Sequence, residues 1–349
     1  MIKKNDNVNF SLYVTIAILC LALFVVTFTL RTTDEHSKFD VPSQTLTSKT
    51  EALKRYIEKK SHPDFLGSEN LESAKAAYPD FSDLLISADI PIPESENFVF
   101  QGVTTVKNDY IVMTAYDYTK KENSRCYVLS SKGRLVNVVD LGNNSHVGGI
   151  AYDETNDLFW IPTSKGTLAA YDLDDILNQE KASFKFVYSE PGKGLFNYRA
   201  THENSIDFLT VDDGHIFVGN FALDKKGIVK QYKISRVGEK IVLTYESKYD
   251  VPPKTQGITF VTKEEKKYLL VSTSYGRHRH SKLMIFAFDS NRKDYTSKNA
   301  TTYFLPPLLE QITSKDEELY LIFESGAKKF ADCPYKISVL CIFDLKKMI

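Results

Sequence analysis

A surplus of charge and a supply of cysteine are both missing from this chain of 349 residues, and each absence excludes something. Lys plus Arg number 44 and Asp plus Glu 45, so no basic stripe marks a nucleic-acid footprint. Of 4 cysteines, Cys20 lies in an apolar run, leaving Cys126, Cys333 and Cys341. An odd number at wide spacing makes neither a disulfide framework nor a zinc site. They read by default as small hydrophobic residues in strands, with one bridge between two of the three as the alternative. Catalytic motifs are scarce too. "SEPGKG", residues 189–194, lacks the spacing of a phosphate-binding loop and reads as a turn, and no Gly-x-Ser-x-Gly elbow occurs. No cofactor is expected. A single Trp stands against 20 Tyr and 22 Phe, a composition that leans towards half-buried strands.

The N-terminal residues form a separate unit. No charge interrupts Asn9 to Leu30, a length that crosses a bilayer as a helix. Lys3 and Lys4 precede it, which places residues 1–8 in the cytoplasm and the rest of the chain outside. The run is long for a signal-peptide core and no small-x-small cleavage site follows, so 9–30 is expected to remain as a signal anchor. Residues 31–95 read as a stalk with short helices. Leu53 and Ile57 fall four apart behind Ser/Thr cap candidates, and further helical turns break near Pro79.

Residues 96–349 change to short β-type runs between turn residues. "QGVTTV" at Gln101 returns about 155 residues later as "QGITFV" at Gln256. Units begin at "QGVTTV", "HVGGIAYD", "HENSIDFLTV", "QGITFV" and "EQITSK", each followed by further strand-like segments. Four strands per unit at this period are the mark of β-propeller blades, and the expectation is an all-β ring of five. Small residues at the start of each first strand suit backbones crowded round an axis. The fifth unit lacks a fourth strand. "ENFVF", with Phe98 and Phe100, is the candidate to supply it and close the ring.

In such a ring the loops entering the first strand, and those joining the second to the third, surround one axial mouth. Strand-entry positions there are Gln101, His146, His202 with Glu203 and Asn204, Gln256, and Glu310 with Gln311. The second connections supply Tyr116, Asp117, Ser164 and Lys165, Asn220, Tyr275, Arg277 and Glu324. Loops on a rigid scaffold concentrate binding residues, so this polar, Tyr-bearing rim is the candidate ligand site, with the catalytic set unknown. The bland alternatives are turn histidines and a solvated basic hairpin at "YGRHRHSK". No His-x-x-x-His spacing supports a metal, and none is assigned.

Segments such as "HVGGIAYDETNDLFWIPTSKGTLAAYDL" resemble secreted or membrane-anchored bacterial β-propellers of the YVTN-type and gluconolactonase or strictosidine-synthase-like group. The resemblance implies the fold over about 250 residues, and functions from binding modules to lactonases and glycan-cleaving enzymes. Gluconolactonase-like members hold a divalent metal with acidic and Asn ligands, which Glu203, Asn204, Asn220 and Glu310 match only loosely. Five-bladed glycan hydrolases carry an inward carboxylate where this chain has Gln101. The expectation is therefore an anchored extracytoplasmic module, single-pass in the cell membrane, that binds a cell-envelope glycan, peptide or partner protein. The alternatives are a hydrolase or lactonase at the same mouth, and a subunit of an envelope-assembly complex.

Overall fold

The computed structural model describes residues 67–93, 97–107, 109–163, 166–188, 206–296 and 299–349. The expected span at 9–30, the helix around Leu53, Ser164 with Lys165, and the segment holding His202, Glu203 and Asn204 lie outside them. Among the described residues no helix is long and apolar enough to cross a membrane.

Two helices open the described chain, α1 (Gly67–Ala77) and α2 (Pro79–Leu84), with Pro79 at the start of α2 where its missing N–H costs nothing. Strand β1 (Leu85–Pro91) follows directly. The remaining strands fall into consecutive sets: β2 (Phe98–Val106), β3 (Tyr110–Asp117), β4 (Arg125–Ser130) and β5 (Leu135–Asp140); then β6 (Ala151–Asp153), β7 (Leu158–Pro162), β8 (Leu168–Asp172) and β9 (Phe186–Tyr188). The third set is β10 (Phe208–Asp212), β11 (His215–Gly219), β12 (Gly227–Val237) and β13 (Lys240–Val251). The fourth is β14 (Thr255–Lys263), β15 (Lys266–Thr273), β16 (Ser281–Ala287) and β17 (Thr301–Leu305). Last come β18 (Leu309–Lys315), β19 (Glu318–Phe323) and β20 (Val339–Asp344). One insertion, α3 (Leu173–Asn178), sits between β8 and β9.

Each set hydrogen-bonds as a four-stranded antiparallel meander, giving five sheets. Short turns join neighbours. Asp213 and Gly214, both at positive φ, make the two-residue turn between β10 and β11 that matches strand twist. The chain is a five-bladed β-propeller.

Five hydrophobic clusters correspond to the five blade-to-blade interfaces. Val128 and Phe159 share the first, Trp160 and Tyr232 the second, Phe217 and Phe286 the third, Leu270 and Leu321 the fourth. The fifth joins Phe98, Phe100 and Tyr127 of the first blade to Tyr320, Ile322 and Leu340 of the last. Sealing the ring in this way removes the apolar faces that an open array would leave wet.

Closure also uses pairing, but not through the strand expected for it. Leu85–Pro91 pairs with β20 as the outermost strand of the last sheet, whose order is β1-β20-β19-β18. Phe98 and Phe100 instead begin the innermost strand of the first blade and reach the last blade by packing. The residues read as the end of a stalk thus belong to the ring. Phe81 of α2 is fully buried against Phe323 and Phe343, with centroids 6.0 and 5.6 Å away.

Cys126, Cys333 and Cys341 are free and buried; Cys126 in β4 and Cys341 in β20 match the strand reading, whereas Cys333 lies in the connection between β19 and β20. Burial raises all three thiols above their ordinary value, so they are poor nucleophiles.

Candidate functional site at the axial mouth

The innermost strands β2, β6, β10, β14 and β18 leave very little space at the axis. A Cβ on Gly102 would lie 2.9 Å from the Gly149 carbonyl carbon, and one on Gly257 would lie 2.8 Å from the Gln311 Cα. Only glycine lets the backbones come this close. Gln311 fills what remains. Its Oε1 accepts from Val103 N at 3.1 Å and Ile150 N at 2.9 Å, and its Nε2 donates to Ile150 O at 2.8 Å and Leu209 O at 3.1 Å. One amide from the fifth blade thereby joins the first, second and third, while the fourth comes close to the Gln311 backbone at Gly257. Expected at the rim, Gln311 is instead a plug across the axis, 1% exposed.

One residue earlier in each inner strand or its entry stand Gln101, Gly148, Asp207, Gln256 and Glu310. Glu310 is buried and hydrogen-bonded to Glu324, which follows β19. Gln101 Nε2 donates to Glu324 Oε2 at 2.9 Å and to the Phe100 carbonyl at 3.0 Å. Gln256 Nε2 reaches Glu310 Oε1 at 3.4 Å. Two carboxyls are thus brought together between two amides.

Two acids this close cannot both ionise. Burial first, then the Glu324 charge and the hydrogen bond between them, holds Glu310 well above the usual carboxylate range. Asp207 pushes the same way and Lys329 opposes. Glu324 is also raised by burial, but Lys329, the Gln101 amide and the bond from Glu310 pull it back. Both acids are thus raised, and the pair holds a proton in common.

The wall beside this pair is Tyr116, His146 and Lys329. Lys329 Nζ donates to the Tyr116 hydroxyl at 2.6 Å, and Tyr116 lies against His146 with centroids 4.2 Å apart. Burial, then the Glu324 and Glu310 charges, raises the Tyr116 phenol. His146 keeps an exposed surface, yet desolvation and the Lys329 and Lys120 ammonium groups hold it below its ordinary value, so it stays neutral at pH 7. Arg277 braces the neighbouring loop, with Nη1 on Asp332 at 3.2 Å and Nη2 on the Lys329 carbonyl at 3.3 Å.

Backbone strain occurs at the same end. Val147 and Leu308, both buried, adopt φ of +48° and +66° just before inner strands of the second and fifth blades. Such a conformation costs a non-glycine residue on the order of 1–2 kcal/mol.

Other expected site residues are committed to the scaffold. Asp117 accepts from Thr119, Lys121 and Glu122, closing a turn. Burial works against its ionisation, but those hydrogen bonds prevail and lower its pKa. Asn220 Oδ1 accepts from Ile228 N at 3.2 Å within the β11–β12 connection. Tyr275 is 43% exposed at the edge, with Lys254 and Arg279 over its ring.

Asp207 and Lys329 escaped the sequence reading. Aligning "DFLTV" with "QGVTT" would have found Asp207, because Leu209 and Val103 share a layer at Gln311. Among the described residues no group of three His, Cys, Asp or Glu could hold a metal ion.

No protein-family model matches the chain, and no curated protein matches it. Solved structures do. The chain is similar to the Dos1 propeller at 9% identity and TM-score 0.33, covering 67% of this chain and 56% of that one. The WD40 β-propeller domain of Doa1 gives 8% identity and TM-score 0.38, covering 75% and 97%. A structural genomics protein of unknown function from Bacteroides thetaiotaomicron gives 8% and 0.38, covering 76% and 74%. Blade number and strand order rest on the ladders themselves.

Proposed function

We propose that this propeller is a binding module, tethered to the cell membrane by residues 9–30, whose entry-end mouth holds a cell-envelope glycan, peptide or partner protein. The observation that carries this reading is that Glu310 and Glu324 are each already taken by an amide at the mouth, Glu324 by Gln101 at 2.9 Å and Glu310 by Gln256 at 3.4 Å. Glycan-cleaving carboxyl pairs stand roughly 5 Å or more apart, with the scissile bond or a water between them. Here the two acids spend their polar atoms on each other and on amides. That leaves the exposed faces of His146 and Lys329 beside them to meet a ligand, over a floor already fixed by its own hydrogen bonds.

Co-sedimentation of the full-length chain with isolated cell-wall material tests this, together with assays for released reducing ends and opened lactones. Retention without turnover is expected, and Glu310→Gln with Glu324→Gln should weaken it about tenfold or more, as loss of charged hydrogen bonds does. Turnover that Glu310→Gln abolishes would replace the binding reading with the hydrolase one. Retention that the double variant leaves untouched would remove the mouth from the reading.

A further inference from the structure

At the opposite end of the axis, beyond the Gln311 plug, the inner strands surround a cavity of about 320 Å³. Two residues after the layer of Gly102, Gly149, Phe208, Gly257 and Gln311 the blades carry Thr104, Ala151, Thr210, Thr259 and Thr313. Hydroxyls therefore recur in four blades and a methyl stands in the second. Thr259 is spent on Ser314, at 3.0 Å. Thr104, Thr210 and Thr313 line the cavity, and among the described residues their hydroxyls meet no protein partner. Thr104 and Thr210 are 5% and 7% exposed as residues, but their hydroxyls are not sealed in the interior: with the half-buried Thr313 they open onto the space of the cavity.

The charges at the rim select among ligands. Lys107 is paired with Asp157 at 3.3 Å, and Lys315 donates to the Lys107 carbonyl. Both ammonium groups are committed, and Glu154 and Asp316 at the same rim disfavour an anion. Tyr152 completes one wall, its own hydroxyl already held by Asp157 at 2.5 Å. Hydroxyls that both donate and accept, an aromatic wall and balanced charge suit a neutral polyhydroxylated ring. The geometry points to a second ligand site at the exit end of the axis, which takes a neutral saccharide residue through Thr104, Thr210 and Thr313.

The test uses the full-length chain, methyl-labelled at threonine, in a detergent without a sugar headgroup. Methyl β-D-glucopyranoside and N-acetylglucosamine are titrated at millimolar concentration, with inorganic phosphate in parallel. The expected result is a saturating shift of the Thr104, Thr210 and Thr313 methyl signals with a saccharide and none with phosphate. Thr210→Val with Thr313→Val should weaken binding roughly tenfold. Should that pair fail to fold, Thr104→Val alone should weaken it by a smaller factor. No saccharide shift, shifts confined to other threonines, or a response to phosphate instead would each overturn the site.

Discussion

The two ends of one axis, separated by a single glutamine, are furnished in opposite ways. At the entry end, polar groups are strong, ionisable and already satisfied: Glu310 by Glu324, Glu324 by Gln101, Tyr116 by Lys329. At the exit end charged groups stand only at the rim, and inside it three threonine hydroxyls open onto a cavity with no protein partner among the described residues. The difference follows from what each group costs to bury. A carboxylate without a partner is too expensive to keep in a protein interior, whereas an unpaired hydroxyl is tolerable where water or a ligand reaches it. Pre-paired acids make a rigid entry end, and idle hydroxyls leave the exit end ready to accept something else.

The divider is where the comparison can be broken hardest. Gln311→Leu would strand four buried backbone groups of three blades, and the expected loss is about 3–5 kcal/mol in chemical unfolding. Little change would mean that water substitutes for the amide and the two ends communicate. Next in size, Gln101→Leu removes the amide donor from Glu324. About 1–3 kcal/mol of stability should go, and the Glu324 signal in a carboxyl-labelled NMR titration should move to higher pH.

The proton shared at the entry end adds a pH dependence of its own. Both glutamates have folded pKa values raised above their unfolded ones. Their contribution is thus fully present below the ordinary glutamate range and is lost as pH rises through the folded values. Glu310→Gln should flatten the stability profile from pH 5 upward, a window that follows from the direction of these shifts. A profile equally steep in the variant would place the proton elsewhere. The smallest effect belongs to the exit end: Thr210→Val should leave the melting temperature within the equivalent of about 0.5 kcal/mol, since its hydroxyl holds nothing in the protein. A larger loss would reveal an ordered water bridge.

Much of the ring was legible along the chain because a blade is a local object. The runs "QGVTTV", "YIVMTAYD" and "RCYVLS" contain their own pairing partners a turn away, and they fold as β2, β3 and β4. Ring closure was less legible. "LISADIP" pairs with β20 across some 250 residues, and nothing local separates such a strand from the helical segment before it. The mouth was legible by position and not by role. Gln101, Glu310 and Glu324 do meet, whereas Asp117 and Asn220, equally polar and equally near the rim, are consumed by turns.

Blade number, the crowding at Gly102 and Gly257, and the polar residues offered to the axis were written into the order of amino acids, because each depends on neighbours within one repeat. That two glutamates meet and hold a proton in common, which glutamine bridges three blades and which threonines open onto the cavity were decided only when the ring closed. Those outcomes depend on distances between residues up to 223 positions apart, and only the closed ring sets such distances.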